Sequence, residues 1–168
     1  MNKLPNMVED LLEKFGRCEI VRQEYDMPLD QFKMNVKMFY GACVIVRNKE
    51  GQFVLVRHRF NLLHAQGPNL WALPCEKLKR NESLEEAGAR ETLEETGLRI
   101  KITGLYRIFQ FIQKALGGES RTESYVAVFF GEAVSGGQSI KSPEILEVKK
   151  LKNYPKILLV NYRSAMKA

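Results

Sequence analysis

The sequence predicts a mixed α+β domain, with a helix packed on a mostly antiparallel or mixed sheet. Three observations predict it. Segments rich in aromatic and β-branched residues recur, as in FYGACVIVRN (39–48), FVLVRHRF (53–60) and YVAVFFGEA (125–133). Short turn-like stretches such as KEGQ (49–52) separate them, which suits hairpins. One longer segment between them carries both a helix start and a helix stop. Strands therefore outnumber helices.

Taken in order, residues 5–15 (PNMVEDLLEKF) have the apolar spacing of a short helix, ended by Gly16. CEIVRQEY (18–25) reads as a strand, and Pro28 opens a second short helix, PLDQFKMNVKM. These residues, 1–38, read as an extension packed on the main domain, which runs from 39 to 168. After the hairpin 39–60 comes a loop, NLLHAQGPN, and a short strand, LWALP (70–74). Ser83 and Glu86 form an S-x-x-E capping box, so a helix should begin at about residue 84, and Gly97 is placed to end it. RIKITGLYRIFQFI is a long strand, KALGGESRTES a loop and YVAVFFGEA another strand. A loop (VSGGQSIKSP), a short strand (ILEVKKL) and a final helix from about Pro155 complete the chain.

At 168 residues the chain suits one domain with its own core. Hydrophobic residues make up 45% and charged residues 27%, the balance of a soluble globular protein. No apolar run approaches the roughly 20 residues of a membrane span. The N-terminus lacks the apolar stretch of a signal peptide, so a cytoplasmic location is expected. Cys18, Cys43 and Cys75 are odd in number and widely spaced, which argues against a disulfide framework or a zinc cluster. With only His58 and His64, an imidazole-based metal site is not expected, and each histidine reads as a surface or strand residue. The net charge of +6 suits phosphorylated partners. The KKLK cluster (149–152) reads as a solvated basic face, and no basic stripe with interleaved aromatics points to nucleic acid.

Against that basic background, CEKLKRNESLEEAGARETLEETGL (75–98) holds seven glutamates among 24 residues. At about 100° per residue, Glu91, Glu94 and Glu95 fall within roughly 100° of the helix circumference. Ala89, Thr92, Leu93 and Thr96 lie opposite and can pack on a sheet, which turns the acidic face away from that packing. Three like charges repel by a few tenths of a kcal/mol per pair. A solvated face and a site for divalent metal both remain open on spacing alone. Hard cations such as Mg²⁺ and Mn²⁺ take oxygen ligands and bridge to phosphates.

The segment resembles the Nudix box, the signature of the Nudix hydrolase family (MutT-like), with the pattern G-x5-E-x7-R-E-U-x-E-E-x-G-U and U aliphatic. Glu82, Arg90, Glu91, Glu94, Glu95 and Gly97 match its fixed positions, and Leu98 its last aliphatic one. A strand ending in LP precedes the box, and EILEVKKL is similar to a downstream strand of the family. The resemblance covers about residues 39–152. It implies the Nudix fold, an α/β/α sandwich with a mixed sheet and the box helix packed against it. It implies a hydrolase that cleaves a diphosphate linked to another moiety by water attack on phosphorus. The cofactor implied is Mg²⁺ or Mn²⁺.

Residue roles follow from the same resemblance. Glu91, Glu94 and Glu95 would be the metal ligands and, with Arg90 orienting them, the catalytic set. Glu82 would be an auxiliary ligand or would hold Arg90. Glu144 and Glu147 match downstream glutamates, one of which often reaches the metal in the family. Arg57, Arg59 and Lys77 are candidates to hold the diphosphate, and Trp71 or Phe60 to stack on a base. For each of these a surface or core role is the alternative.

The chain departs from the family where members usually read LPGGKL and this one reads LPCEKL (73–78). Cys75 can still offer its backbone carbonyl to a metal. Glu76 would cost about 1 kcal/mol or more if its position requires φ > 0. Otherwise it adds a carboxylate to the site, or the site is degraded. Thr92 at an aliphatic position is a lesser departure. Cys75 itself reads as structural, since no histidine base is expected beside it.

The expected partner is a phosphorylated small molecule, namely a nucleoside triphosphate, a nucleotide sugar or a similar nucleotide. Neither a membrane nor nucleic acid is expected, and a homodimer stays open. Subfamily markers for ADP-ribose (a proline) and diadenosine polyphosphates (a tyrosine) are absent, their places falling at about Gln113 and Leu116. A Nudix-fold nucleotide-binding module and an RNA-directed pyrophosphohydrolase are the competing readings.

Overall fold

A computed structural model describes residues 4–27, 39–58, 71–117, 121–137, 140 and 142–152. The short helix expected from Pro28, the loop 61–69, Arg59, Phe60, His64 and the final helix from Pro155 lie outside the described residues. The described elements are α1 (Asn6–Phe15), β1 (Glu19–Met27), β2 (Tyr40–Arg47), β3 (Phe53–His58), β4 (Trp71–Ala72), β5 (Cys75–Lys77), α2 (Leu84–Thr96), β6 (Leu98–Ala115), β7 (Arg121–Gly136) and β8 (Ile145–Leu151).

The eight described strands form one mixed sheet, along the path β1-β6-β7-β2-β3-β4 with β5 on β2 and β8 on β3 off it. β6 and β7 make a long antiparallel hairpin, while β1 joins β6 and β2 joins β7 in parallel. β2 and β3 pair only near their turn, at Val46↔Val54 and Arg47↔Phe53, and then diverge. Residues 71–77 fill the gap: β4 pairs with β3, and β5 pairs with β2. Pro74 sits at the crossing, where its missing N–H is not needed and its carbonyl accepts from Val44 N–H at 3.0 Å. Asn48 closes the β2–β3 turn, its side chain accepting from Glu50 and Gln52 N–H.

Alternation along the strands assigns the two faces. Ala42, Val44, Val46, Val54, Ala127 and Phe129 pack under Leu84 and Ala87 of α2 and Leu11 of α1. Val8 of α1 packs with Ile108 and Tyr125. On the other face Cys43, Ile45, Leu55, Phe109, Phe111, Val126 and Val128 form a second core. Both described helices thus lie on one face of the sheet.

Several boundaries differ from the sequence reading. The β6–β7 hairpin runs further, to Ala115 and from Arg121, because Gln110, Glu123 and Tyr125 satisfy one another through side-chain hydrogen bonds on a segment that reads as polar loop. β5 reads as no element in sequence, since three residues carry no period. It also overturns the expectation about cysteines. Cys43 and Cys75 are directly opposed across β2 and β5 and form a disulfide, while Cys18 is free. A sequence separation of 32 hides a proximity that only strand pairing creates.

Candidate functional site

α2 begins as its sequence predicts. Ser83 Oγ accepts from Glu86 N–H at 3.2 Å, and Glu86 Oε2 accepts from Ser83 N–H at 2.8 Å. Gly97 ends the helix in the left-handed region (φ 74°), its N–H donating to the Leu93 carbonyl. Gly88 lets the helix lie close on β2, where an added Cβ would stand 2.8 Å from Val44 Cγ2.

The orientation of the helix corrects the sequence reading. Its buried face comprises Leu84, Ala87, Gly88, Glu91, Thr92, Glu95 and Thr96, whereas Ala89 and Leu93 are only half-buried. Glu91 and Glu95 are 6% and 3% exposed, so they point toward the sheet. Apolar packing with Leu84, Ala87 and Gly88 selects this face, and the two glutamates share its stripe. Thr92 and Thr96 are buried there at low cost because their hydroxyls donate to the Gly88 and Thr92 carbonyls.

Arg90 organises the outer side of the cluster. Its Nε donates to Glu82 Oε1 at 2.6 Å and its Nη2 to Glu82 Oε2 at 3.0 Å, a two-pronged pair. Lys79 N–H also donates to Glu82 Oε2. Both Glu82 oxygens are therefore engaged, an arrangement that holds Arg90. The remaining nitrogen, Nη1, donates to Glu91 Oε1 and lies 3.4 Å from Glu94 Oε2. Glu94 is the most exposed of the three box carboxylates and also faces Lys79 Nζ at 3.9 Å.

Glu95 is the deepest. Its Oε2 is buried without a hydrogen-bond partner, and Cys75 N–H bonds to its carboxyl group. Burial, then the charges of Glu91, Glu76 and Glu144, pushes its pKa up to about 9. Burial likewise raises Glu91, against the pull of Arg90. Glu76 is not strained. Among the described residues only Asn81 combines a side chain with positive φ, and Glu76 lies extended in β5. Strand alternation puts Cys75 in the opposite core and Glu76 on the helix side, where its charge reaches Glu91, Glu95 and His58. Glu144 reaches Glu95 and His58 from the turn before β8.

His58, read from sequence as a surface or strand residue, is the component that reading missed. It ends β3 with Nε2 3.5 Å from Glu95 Oε1, and burial lowers its pKa although Glu144 and Glu76 raise it. Position parity with Val54, which packs in the core under α2, was the available signal. The candidate diphosphate-binding residues are placed differently. Arg57 points to the other face, pairing with Glu147 at 2.8 Å and lying 5.6 Å from the Trp71 ring. Lys77 stands over Phe39. Arg59 lies outside the described residues.

Among the described residues no three carboxylate, imidazole or thiol side chains converge closely enough to enclose an ion. The donors fit a hard divalent cation all the same: they are carboxylate oxygens from α2, β5 and the turn before β8, one of them buried and unpartnered.

A NUDIX domain description matches residues 38–162. The chain belongs to the Nudix family. It is 32% identical over 100 residues to a Bacillus subtilis (strain 168) protein provisionally named an 8-oxo-dGTP diphosphatase, covering 60% of this chain and 56% of that one. It is 38% identical over 71 residues to Phosphatase NudJ of Escherichia coli (strain K12), covering 42% of each. The chain thus spans about half the length of the curated relatives it matches. Among solved structures, a MutT protein from Methanosarcina mazei Go1 superposes with a TM-score of 0.52 at 26% identity, over 69% of this chain and 78% of that one. A MutT Nudix hydrolase from Burkholderia pseudomallei shares the fold with a TM-score of 0.57 at 18% identity, over 79% and 100%. Among the described residues no helix is long and apolar enough to cross a membrane.

Proposed function

We propose that this Nudix chain is a divalent-metal-dependent hydrolase that cleaves a diphosphate bond in a nucleoside diphosphate linked to another moiety. A nucleoside triphosphate or a nucleotide sugar is the substrate class, and Mg²⁺ or Mn²⁺ the cation. The observation that carries this reading is Glu95, a buried carboxylate with an unpartnered oxygen, on which the charges of Glu91, Glu76 and Glu144 act. Such a cluster costs several kcal/mol if it ionises without a counter-charge, and a bound cation removes that cost.

Glu91 and Glu95 would hold the ion, with Glu94, Glu76, Glu144 and the Cys75 carbonyl within the same wall. Glu82 acts through Arg90, which fixes Glu91 and Glu94. A bound divalent cation supplies charge neutralisation on the phosphate and acidifies the attacking water. The chain's own part is to place that water and take its proton on a carboxylate. The water oxygen bonds to phosphorus, the bridging P–O bond breaks, and two phosphorylated products leave. Of the candidates to hold the diphosphate, Arg57 and Lys77 face the other side of the sheet, which leaves Arg59, outside the described residues, in that proposed role.

The test is phosphate-product release from a panel of nucleoside triphosphates, ADP-ribose, nucleotide sugars and dinucleoside polyphosphates, run with Mg²⁺ and with Mn²⁺. Glu95→Gln serves as the blank. Metal-dependent turnover that vanishes in the variant supports the hydrolase. Nucleotide binding without turnover of any member would replace it with a binding module. The replacement of the usual glycine by Glu76 favours that second reading, because it adds a negative charge where the substrate's phosphates would approach.

A further inference from the structure

His58 stands in an unusual place for an imidazole. It ends β3 on the face that carries α2, half-buried, with Nε2 3.5 Å from Glu95 Oε1. The β3–β8 register shifts at this residue: Arg57 pairs with Glu147, but His58 pairs with Ile145, passing over Leu146. A bulge of this kind re-aims a side chain, and here it lies one step from the carboxylates. Glu95 has its two oxygens in unlike surroundings. Oε1 faces the imidazole, whereas Oε2 is buried with no hydrogen-bond partner.

We infer that His58 is a positioning residue for Glu95, donating from Nε2–H to Oε1 so that Oε2 is the oxygen turned to the divalent cation. The inference rests on the metal-dependent reading above. A carboxylate on a single torsional axis can rotate either oxygen, or a shared pair, toward an ion. A donor fixed by strand geometry removes that freedom, as outer partners of metal ligands do. The contact at 3.5 Å is long for a hydrogen bond, as such contacts often are in a free protein before the occupied site tightens them. Neutral imidazole with the proton on Nε2 suffices, and no change of charge on His58 is needed. The groups facing it from neighbouring elements are Glu95 on α2, Glu76 on β5 and Glu144 on the turn before β8. All are acceptors, and the Cys75 backbone N–H, which also bonds to the Glu95 carboxyl group, is the donor that His58 supplements.

The test compares His58→Leu, which keeps much of the volume and removes the donor, with His58→Gln, whose amide N–H reaches to about the place of Nε2. His58→Ala is a second donor-free variant should the Leu protein fail to fold. Two readouts are taken on folded protein of matched Tm: Mn²⁺ affinity of the free chain, by calorimetry or electron paramagnetic resonance, and kcat and KM on whichever nucleotide the panel yields. His58→Leu should weaken Mn²⁺ binding and lower kcat by about 10- to 100-fold, with KM for the nucleotide changed less than about twofold. His58→Gln should recover most of both. Wild-type Mn²⁺ affinity in the Leu variant overturns the inference. So does equal loss in Leu and Gln, which would mean that imidazole packing, not its donor, matters. A wild-type chain that binds Mn²⁺ but turns nothing over, with affinity lost in Leu and regained in Gln, would refute the hydrolase and leave the role of His58 standing. A wild type that binds no Mn²⁺ refutes both.

Discussion

Cys43 and Cys75 are bonded across β2 and β5, and the second of them is the residue whose N–H reaches Glu95. The bridge therefore ties the variant box strand to the centre of the sheet. It closes a chain segment with a sequence separation of 32, for which loop-entropy arguments give about 3–4 kcal/mol. Reduction, or Cys43→Ala in the oxidised chain, should lower the unfolding free energy from denaturant melts by about that amount. Thiol titration of the unfolded, unreduced protein should find Cys18 alone reactive. Three reactive thiols before reduction would show that the bridge does not form.

Arg90 spans the box helix and the turn before it through its fork on Glu82. Lysine keeps the charge but cannot reproduce two parallel hydrogen bonds, so Arg90→Lys is not a conservative change here. It should lower kcat at least about tenfold by freeing Glu91 and Glu94. In a double-mutant cycle with Glu82→Gln, the coupling should be about 1–3 kcal/mol. Additive effects would mean that Glu82 acts independently, as a ligand in its own right.

Gly88 separates two opposed terms. Alanine would favour the helix by about 1 kcal/mol. Its Cβ, however, would stand 2.8 Å from Val44 Cγ2 and 3.6 Å from Ala42 Cβ, both in the core. Valine is stiff at χ1 and fully buried, so it cannot step aside, and overpacking of this kind costs about 1–3 kcal/mol. Gly88→Ala should therefore lower Tm. A rise in Tm would show that α2 sits further from the sheet than described.

What the sequence made legible was local. Ser83 with Glu86 and Gly97 bound α2 because caps act over three or four residues, and β2, β3 and β8 announced themselves through short-period chemistry. The orientation of α2 was not legible. Its core-facing stripe includes Glu91 and Glu95 beside Leu84 and Ala87, so hydrophobicity pointed the wrong way. His58 beside Glu95 and Cys43 beside Cys75 were hidden for a different reason. Each pair lies more than thirty residues apart in sequence, the cysteines brought together by strand pairing and His58 with Glu95 by the packing of α2 near β3, and no local pattern encodes such a meeting. The family motif supplied the chemistry of the site but not these two partners, because they lie at positions the motif leaves free or fills with glycine.

Glu95 makes the metal-free protein sensitive to pH in a direction opposite to that of an ordinary carboxylate. Its folded pKa, about 9, is above the unfolded value of about 4.3. Between those values the folded chain holds a proton that the unfolded chain has lost. Stability is then fully present below the lower value and falls as pH rises toward the upper one. His58 works the other way, because burial depresses its pKa, but that contribution is complete once pH exceeds the ordinary imidazole value. In the window from pH 7 to 8.5 Glu95 is thus the main contributor, beside smaller ones of the same sign from Glu91 and the Cys18 thiol, both raised by burial. In chelator-treated protein, stability should fall there by on the order of 2 kcal/mol, and Glu95→Gln should abolish most of that slope while raising Tm at pH 8.5. Saturating Mg²⁺ should stabilise the wild type increasingly over the same window, since the ion must displace the proton. Denaturant melts at four pH values, with and without Mg²⁺, measure all three. An unchanged slope in Glu95→Gln would place the titrating group elsewhere.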